Sequence, residues 1–178
     1  MLVKSKIKSL WVWLLRWRYT RGFGIQSPID YSFVRYVINE HWKYYAYSRL
    51  GKDDDWLRRK LGRLYFRIAN WKQPKVIEST GYHDYLKAAC KDVTFGTSTE
   101  MIIISVKDSD NDKIVDIHNR IKEDSLLIVE DINADETARK RWNMIVNNEL
   151  AGVSFDLYYC GIVFFDRKRY KQTYRINF

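Results

Sequence analysis

Histidine and cysteine are scarce, with three and two copies in 178 residues. His41, His83 and His118 form no i, i+4 pair, and none stands in ligand spacing with Cys90 or Cys160. That pattern excludes a dedicated zinc motif, and no other metal-ligand set appears. Both cysteines have apolar neighbours and are expected as buried free thiols. Only eight glycines and two prolines are present, which argues against a disordered chain and against a turn-rich all-β protein. Long apolar runs are missing too. The N-terminal run over 10–15 stops at Arg16, is far short of the roughly 18 residues of a membrane span, and precedes no small-residue cleavage site. The expectation is a cytoplasmic protein.

What is present is apolar and basic. Hydrophobic residues make up 46% and aromatics 16%, enough for one core in a chain of this length. The net charge of +9 is uneven: residues 1–75 hold 17 Lys and Arg against five Asp and Glu, while residues 76–178 hold 14 against 17. A basic first part suits nucleic acid, an anionic membrane surface, or self-association with the acidic part of another copy.

Periodicity divides the chain into a basic helical region, 1–74, packed on an α/β region, 75–178. Ile7, Leu10, Trp11, Leu14 and Leu15 repeat at helical spacing over 2–18, and Trp11, Trp13 and Trp17 among cations would suit a headgroup layer. Ser27, Pro28 and Asp30 predict a helix start and a helix over 28–42. Leu57, Leu61, Leu64, Tyr65 and Ile68 predict another over 56–71, with Arg58, Arg59, Lys60, Arg63 and Arg67 on a solvated face. Strands follow over 75–79, 101–106 and 125–129, with helices over 83–90, 110–121 and 135–147. The segments 153–159 and 162–165 read as an antiparallel pair, and 173–178 as a last strand. Alternating strands and helices predict a Rossmann-like, mostly parallel sheet covered on both faces and closed by a C-terminal antiparallel hairpin.

The local wording agrees. Residues 21–30 (RGFGIQSPID), 44–47 (YYAY), 67–74 (RIANWKQP), 126–132 (LLIVEDI) and 156–165 (DLYYCGIVFF) resemble bacterial class I S-adenosylmethionine-dependent methyltransferase-like proteins, in order over nearly the whole chain. The resemblance implies S-adenosylmethionine as cofactor, bordered by Glu78 at the end of the first strand, Gly81 in the turn after it, and Asp131. Three departures stand against it. Tyr82 and His83 replace small turn residues. Only residues 91–100 stand where a second strand, a helix and a third strand are expected, leaving room for one short strand near 92–95. Ser105 replaces the Asp that catechol-type members use with carboxylates such as Glu130 and Asp131 to hold a cation. Asp131 and Asn133 also read as caps of the following helix, and His118 as a surface residue. No nucleophile–base pair emerges. The expectation is a methyltransferase-like protein with a lost or impaired cofactor site, acting as a scaffold or binding protein. An active methyltransferase and a basic nucleic-acid or membrane-binding module are the alternatives.

Overall fold

The computed structural model describes residues 10–107, 111–166 and 169–178. Lys4, Ile7 and the rest of the expected first helix before Leu10 lie outside them. Residues 10–15 are helical, and a 3-10 helix, Trp17–Gly22, follows. Ser27 then opens α1 (Pro28–Phe33), its hydroxyl accepting from the Asp30 amide, with Pro28 in the first turn. The expected continuation to residue 42 does not form: the helix loosens into a π turn, Val34–Ile38, and ends there. Arg67 supplies the reason. Its Nε donates to the Val37 carbonyl at 2.6 Å and its Nη2 to that of Ile38 at 2.8 Å, satisfying carbonyls that a helix end leaves without partners.

The second helix, α2 (Trp56–Lys72), starts on Asp55, whose carboxylate accepts from the Arg58 amide, and stops at Gln73 in the left-handed region. Its cationic side is not the solvated face the sequence predicts. Arg67 is buried, Arg59 donates to the carbonyls of Gly51, Lys52 and Asp54, and Arg63 lies over the Tyr47 ring. Cations spaced four apart along one side of the helix thus hold in place the chain between α1 and α2, which includes a 3-10 helix, Tyr45–Ser48.

The remaining elements are β1 (Val76–Ser79), α3 (His83–Ala89), β2 (Thr94–Phe95), β3 (Met101–Ser105), α4 (Asn111–Arg120), β4 (Leu126–Glu130), α5 (Glu136–Asn147), β5 (Val153–Asp156), β6 (Cys160–Phe164) and β7 (Gln172–Arg175). They form one sheet in the order β2-β1-β3-β4-β6-β5-β7. The first four strands are parallel. The β5–β6 hairpin is antiparallel, with β6 inserted against β4, and β7 adds parallel to β5. The fold is therefore α/β and Rossmann-like, and no described helix is long and apolar enough to cross a membrane.

Strand alternation sorts the core into two layers. Met101, Ile103, Leu126 and Ile128 face Leu64, Ile68 and the π turn. Ile102, Ile104, Leu127 and Val129 face Ile114, Ile117, Trp142 and Ile145 of α4 and α5. Cys90 and Cys160 are buried and free. Two expectations need correction. His118 is half-buried, its Nδ1 3.0 Å from the Ile114 carbonyl, because the Ile114 and Ile117 stripe draws the next turn inward. The cap of α5 is Asp135, which accepts from the Ala138 amide at 2.8 Å. Asp131 and Asn133 lie too far upstream of the helix to serve.

Trp142 is fully buried, and its ring lies where a Cβ at Gly161 of β6 would stand. Gly161→Ala should therefore lower stability by about 1–3 kcal/mol in urea denaturation. Gly81→Ala, where the added Cβ meets nothing within 4 Å, should stay within about 0.5 kcal/mol of the parent. Equal effects at the two positions would refute this packing.

Candidate active site: a cleft at the end of the fourth strand

Open α/β sheets bind ligands beyond the carboxyl ends of their strands. Here that edge carries a cleft of about 590 Å³ between the start of α2, the turn before α3, and the loops after β4 and β5. Side-chain direction decides what enters it. Glu130 is an even-numbered residue of β4, so it points with Leu126 and Ile128 toward α2. There the Tyr65 hydroxyl donates to its Oε1 at 2.8 Å. Tyr82 packs edge-on against Tyr65, with ring centroids 4.9 Å apart, and the Arg58 guanidinium lies 4.8 Å over the Tyr82 ring. Trp56 and Tyr159 close another side, 6.1 Å apart. Lys60 borders this wall, its ammonium against the rings of Trp56 and Phe178. Burial lowers its pKa to about 8.

Backbone geometry marks the same place. Five described residues other than glycine have positive φ, and three of them line this cleft: Tyr82 at 62°, Asp131 at 61° and Tyr158 at 75°. Each such conformation costs energy for a side-chain-bearing residue and persists only where its surroundings enforce it. For Asp131 and Tyr158 the enforcing bonds are present. The Asp131 amide donates to the Tyr159 carbonyl at 2.9 Å, the Asn133 side chain donates to the Tyr158 carbonyl at 2.8 Å, and the Tyr158 amide donates to Asp156.

The three residues expected around a cofactor are not brought together. Asp131 stands in the cleft wall and accepts from the Ser105 hydroxyl at 2.7 Å. Glu78 and Gly81 are not in that wall. Glu78 is one residue out of phase with Ile77, so it points to the opposite face of the sheet. There Arg120 of α4 grips it with both terminal nitrogens, at 3.0 and 3.3 Å, and the Ser98 amide donates to it at 3.1 Å. Gly81 has open space around it, and the positive φ in its turn falls on Tyr82 instead. His83 turns back to the Ser79 carbonyl, 3.0 Å away. The shortened middle explains the seal over Glu78. Only five residues, 96–100, link β2 to β3. They cross β1 on the Glu78 side, anchored where the Ser98 hydroxyl donates to the Val76 carbonyl and Arg120 donates to the Ser98 carbonyl. A loop thus lies where a crossover helix would. It suffices because β2 is only two residues long.

The sequence reading missed Tyr65, Tyr82, Arg58 and the αL turn at Tyr158. Period-two alternation from Ile128 to Glu130 was the available signal for Glu130's direction. No described group of three His, Cys, Asp or Glu residues is arranged to hold a metal ion. No family model, curated protein or solved structure matches the chain.

Burial pushes the Glu130 carboxyl above its ordinary pKa of 4.5, with Asp131 adding to the rise, while hydrogen bonds from Tyr65 and Tyr82 and the Arg58 charge oppose it. A carboxyl raised in the folded state stabilises the fold fully below its unfolded pKa, and that contribution is lost as pH rises through the folded value. Glu130→Gln keeps an acceptor for Tyr65 and carries no charge. It should be more stable than the parent at about pH 7, the difference vanishing toward about pH 4. Urea denaturation across that range is the measurement. A variant less stable than the parent near neutrality would mean that the charge is stabilised on balance.

Proposed function

We propose that the chain is a methyltransferase-like domain whose S-adenosylmethionine site is impaired, and that it works as a non-catalytic binding protein through the cleft beside Glu130. The observation that carries this reading is the state of Glu78. The acidic residue that the resemblance assigns to the cofactor already has a bidentate arginine and a backbone amide, and the 96–100 loop covers it. A ligand would have to break that pairing, and freeing one member of a partly buried ion pair is costly. The enforced αL residues Asp131 and Tyr158, with Tyr82 also at positive φ, support the cleft as the retained site. Its aromatic walls, with Asp55, Glu130 and Asp131 against Arg58 and the bordering Lys60, suit a compact organic cation.

One observation favours the second reading, an active methyltransferase. Asp131 lines the cleft, and S-adenosylmethionine is itself a sulfonium cation, which could seat among these carboxylates and rings without Glu78.

Thermal denaturation with S-adenosylmethionine or S-adenosylhomocysteine separates the two. A ligand at 100 times its Kd adds about 2.7 kcal/mol, or roughly 5–10 °C for a domain of this size. The expected outcome is no shift at millimolar concentration of either compound. A shift of that size, abolished by Tyr82→Ala and Asp131→Ala, would overturn the non-catalytic reading in favour of the enzyme.

A further inference from the structure

The helix over 10–15 buries one side chain, Val12, and presents Leu10, Trp11, Trp13, Leu14 and Leu15 to solvent. Trp17 follows in the same state. Leu15 is 71% exposed, Trp17 62% and Trp11 61%. Apolar surface of this density on so short a segment marks a contact face.

Polar bonds tie the segment to the end of β5 and to the C-terminal residues. Arg16 donates to the carbonyl and carboxylate of Asp156 at 3.0 and 2.9 Å. The Asn177 side chain donates to the Trp13 carbonyl, and the Asn177 amide to that of Tyr19. Beneath the helix is a second cleft of about 400 Å³, where Trp11 and Leu15 meet Arg16, Arg139 and Arg175. Arg16 and Arg139 share one carboxylate, Asp156, so the three guanidinium groups exceed their buried counter-charge.

We propose that this face docks on an anionic phospholipid bilayer, with the tryptophans and leucines at the headgroup–acyl boundary and a lipid phosphate in the arginine cleft. Tryptophan beside leucine and arginine is the composition that an interfacial helix requires. The surplus guanidinium charge, in a part of the chain where Lys and Arg outnumber Asp and Glu 17 to five, complements an anionic leaflet. A symmetric second copy would bring two such surplus guanidinium clusters into one interface. Nucleic acid could stack on tryptophan but would leave Leu10, Leu14 and Leu15 in water. The inference is independent of whether S-adenosylmethionine binds.

Sedimentation with vesicles tests it. The full chain should bind phosphatidylcholine vesicles containing one-third phosphatidylglycerol at least roughly tenfold more tightly than pure phosphatidylcholine. Part of that binding should be lost when added salt shortens the screening length from about 10 Å to a few ångströms. The triple variant Trp11→Ala, Trp13→Ala, Leu15→Ala removes exposed side chains only. It should melt like the parent and lose most vesicle binding. Arg175→Gln should weaken binding several-fold and leave the neutral-vesicle background unchanged. Four results would overturn the proposal: no binding to anionic vesicles, binding indifferent to the triple variant, full displacement by inorganic phosphate, or a concentration-dependent dimer in light scattering that the same variant abolishes. The last would assign the face to a second copy.

Discussion

Asp156 is the constraint on which the other parts of the molecule converge. It ends β5, is almost fully buried, and would be costly there as a lone charge. Burial alone would raise its pKa. The Arg16 and Arg139 guanidinium groups and the Tyr158 amide outweigh that and hold it below the ordinary carboxylate range. Each of these partners belongs to a different piece of the fold. Arg16 brings the N-terminal helix, Arg139 brings α5, and the Tyr158 amide brings the turn between β5 and β6. One ionised side chain therefore ties an otherwise surface-riding helix to the sheet and fixes the αL turn that shapes the main cleft.

A similar economy operates in the N-terminal region. Arg67 is buried, yet no described carboxylate pairs with it; it donates to the two carbonyls that end the π turn and to the Tyr47 hydroxyl. Charged donors to backbone acceptors are among the stronger hydrogen bonds, and here they replace the last helical turn. Asp30 is likewise buried and satisfied, by Arg169 and the Tyr174 hydroxyl, joining α1 to the end of the chain. Among the described residues up to Asp55, polar pairs between segments remote in sequence work beside the apolar contacts of Phe33, Val34, Val37 and Ile38 to fix this part of the chain on the sheet.

These long-range pairs also explain what could and could not be read from the sequence. The apolar runs of β3 and β4 and the three-and-four spacing of Leu57 to Ile68 announce their elements locally, because burial on both faces or on one stripe leaves a periodic trace. Ser27 and Pro28 announced a helix start for the same reason. The π turn left no such trace, since its cause is an arginine about 30 residues away. The role of the cations on α2 was hidden because helical periodicity tells which side a residue lies on, not whether another segment covers that side. At the site, Asp131 was legible as a strand-end carboxylate. Glu78 was legible as such too, and its alternation with Ile77 already set its face; what left no local trace was the pairing with Arg120 and the Ser98 amide that holds it there.

The two clefts are neighbours by construction. Tyr158 and Asn133 stand in the walls of both, and the Asn133 side chain donates to the Tyr158 carbonyl. Arg16 closes the circuit, its guanidinium 5.3 Å over the Tyr158 ring while its nitrogens hold Asp156. A ligand that preferred one position of Tyr158 would therefore act on the seat of the Trp-rich helix. Linkage then requires that occupation of the helix face act equally on the cleft. The strained φ at Tyr158 gives this turn a conformation that its neighbours must hold in place, and of those neighbours Asn133 lines both clefts while Arg16 lines the one beneath the helix.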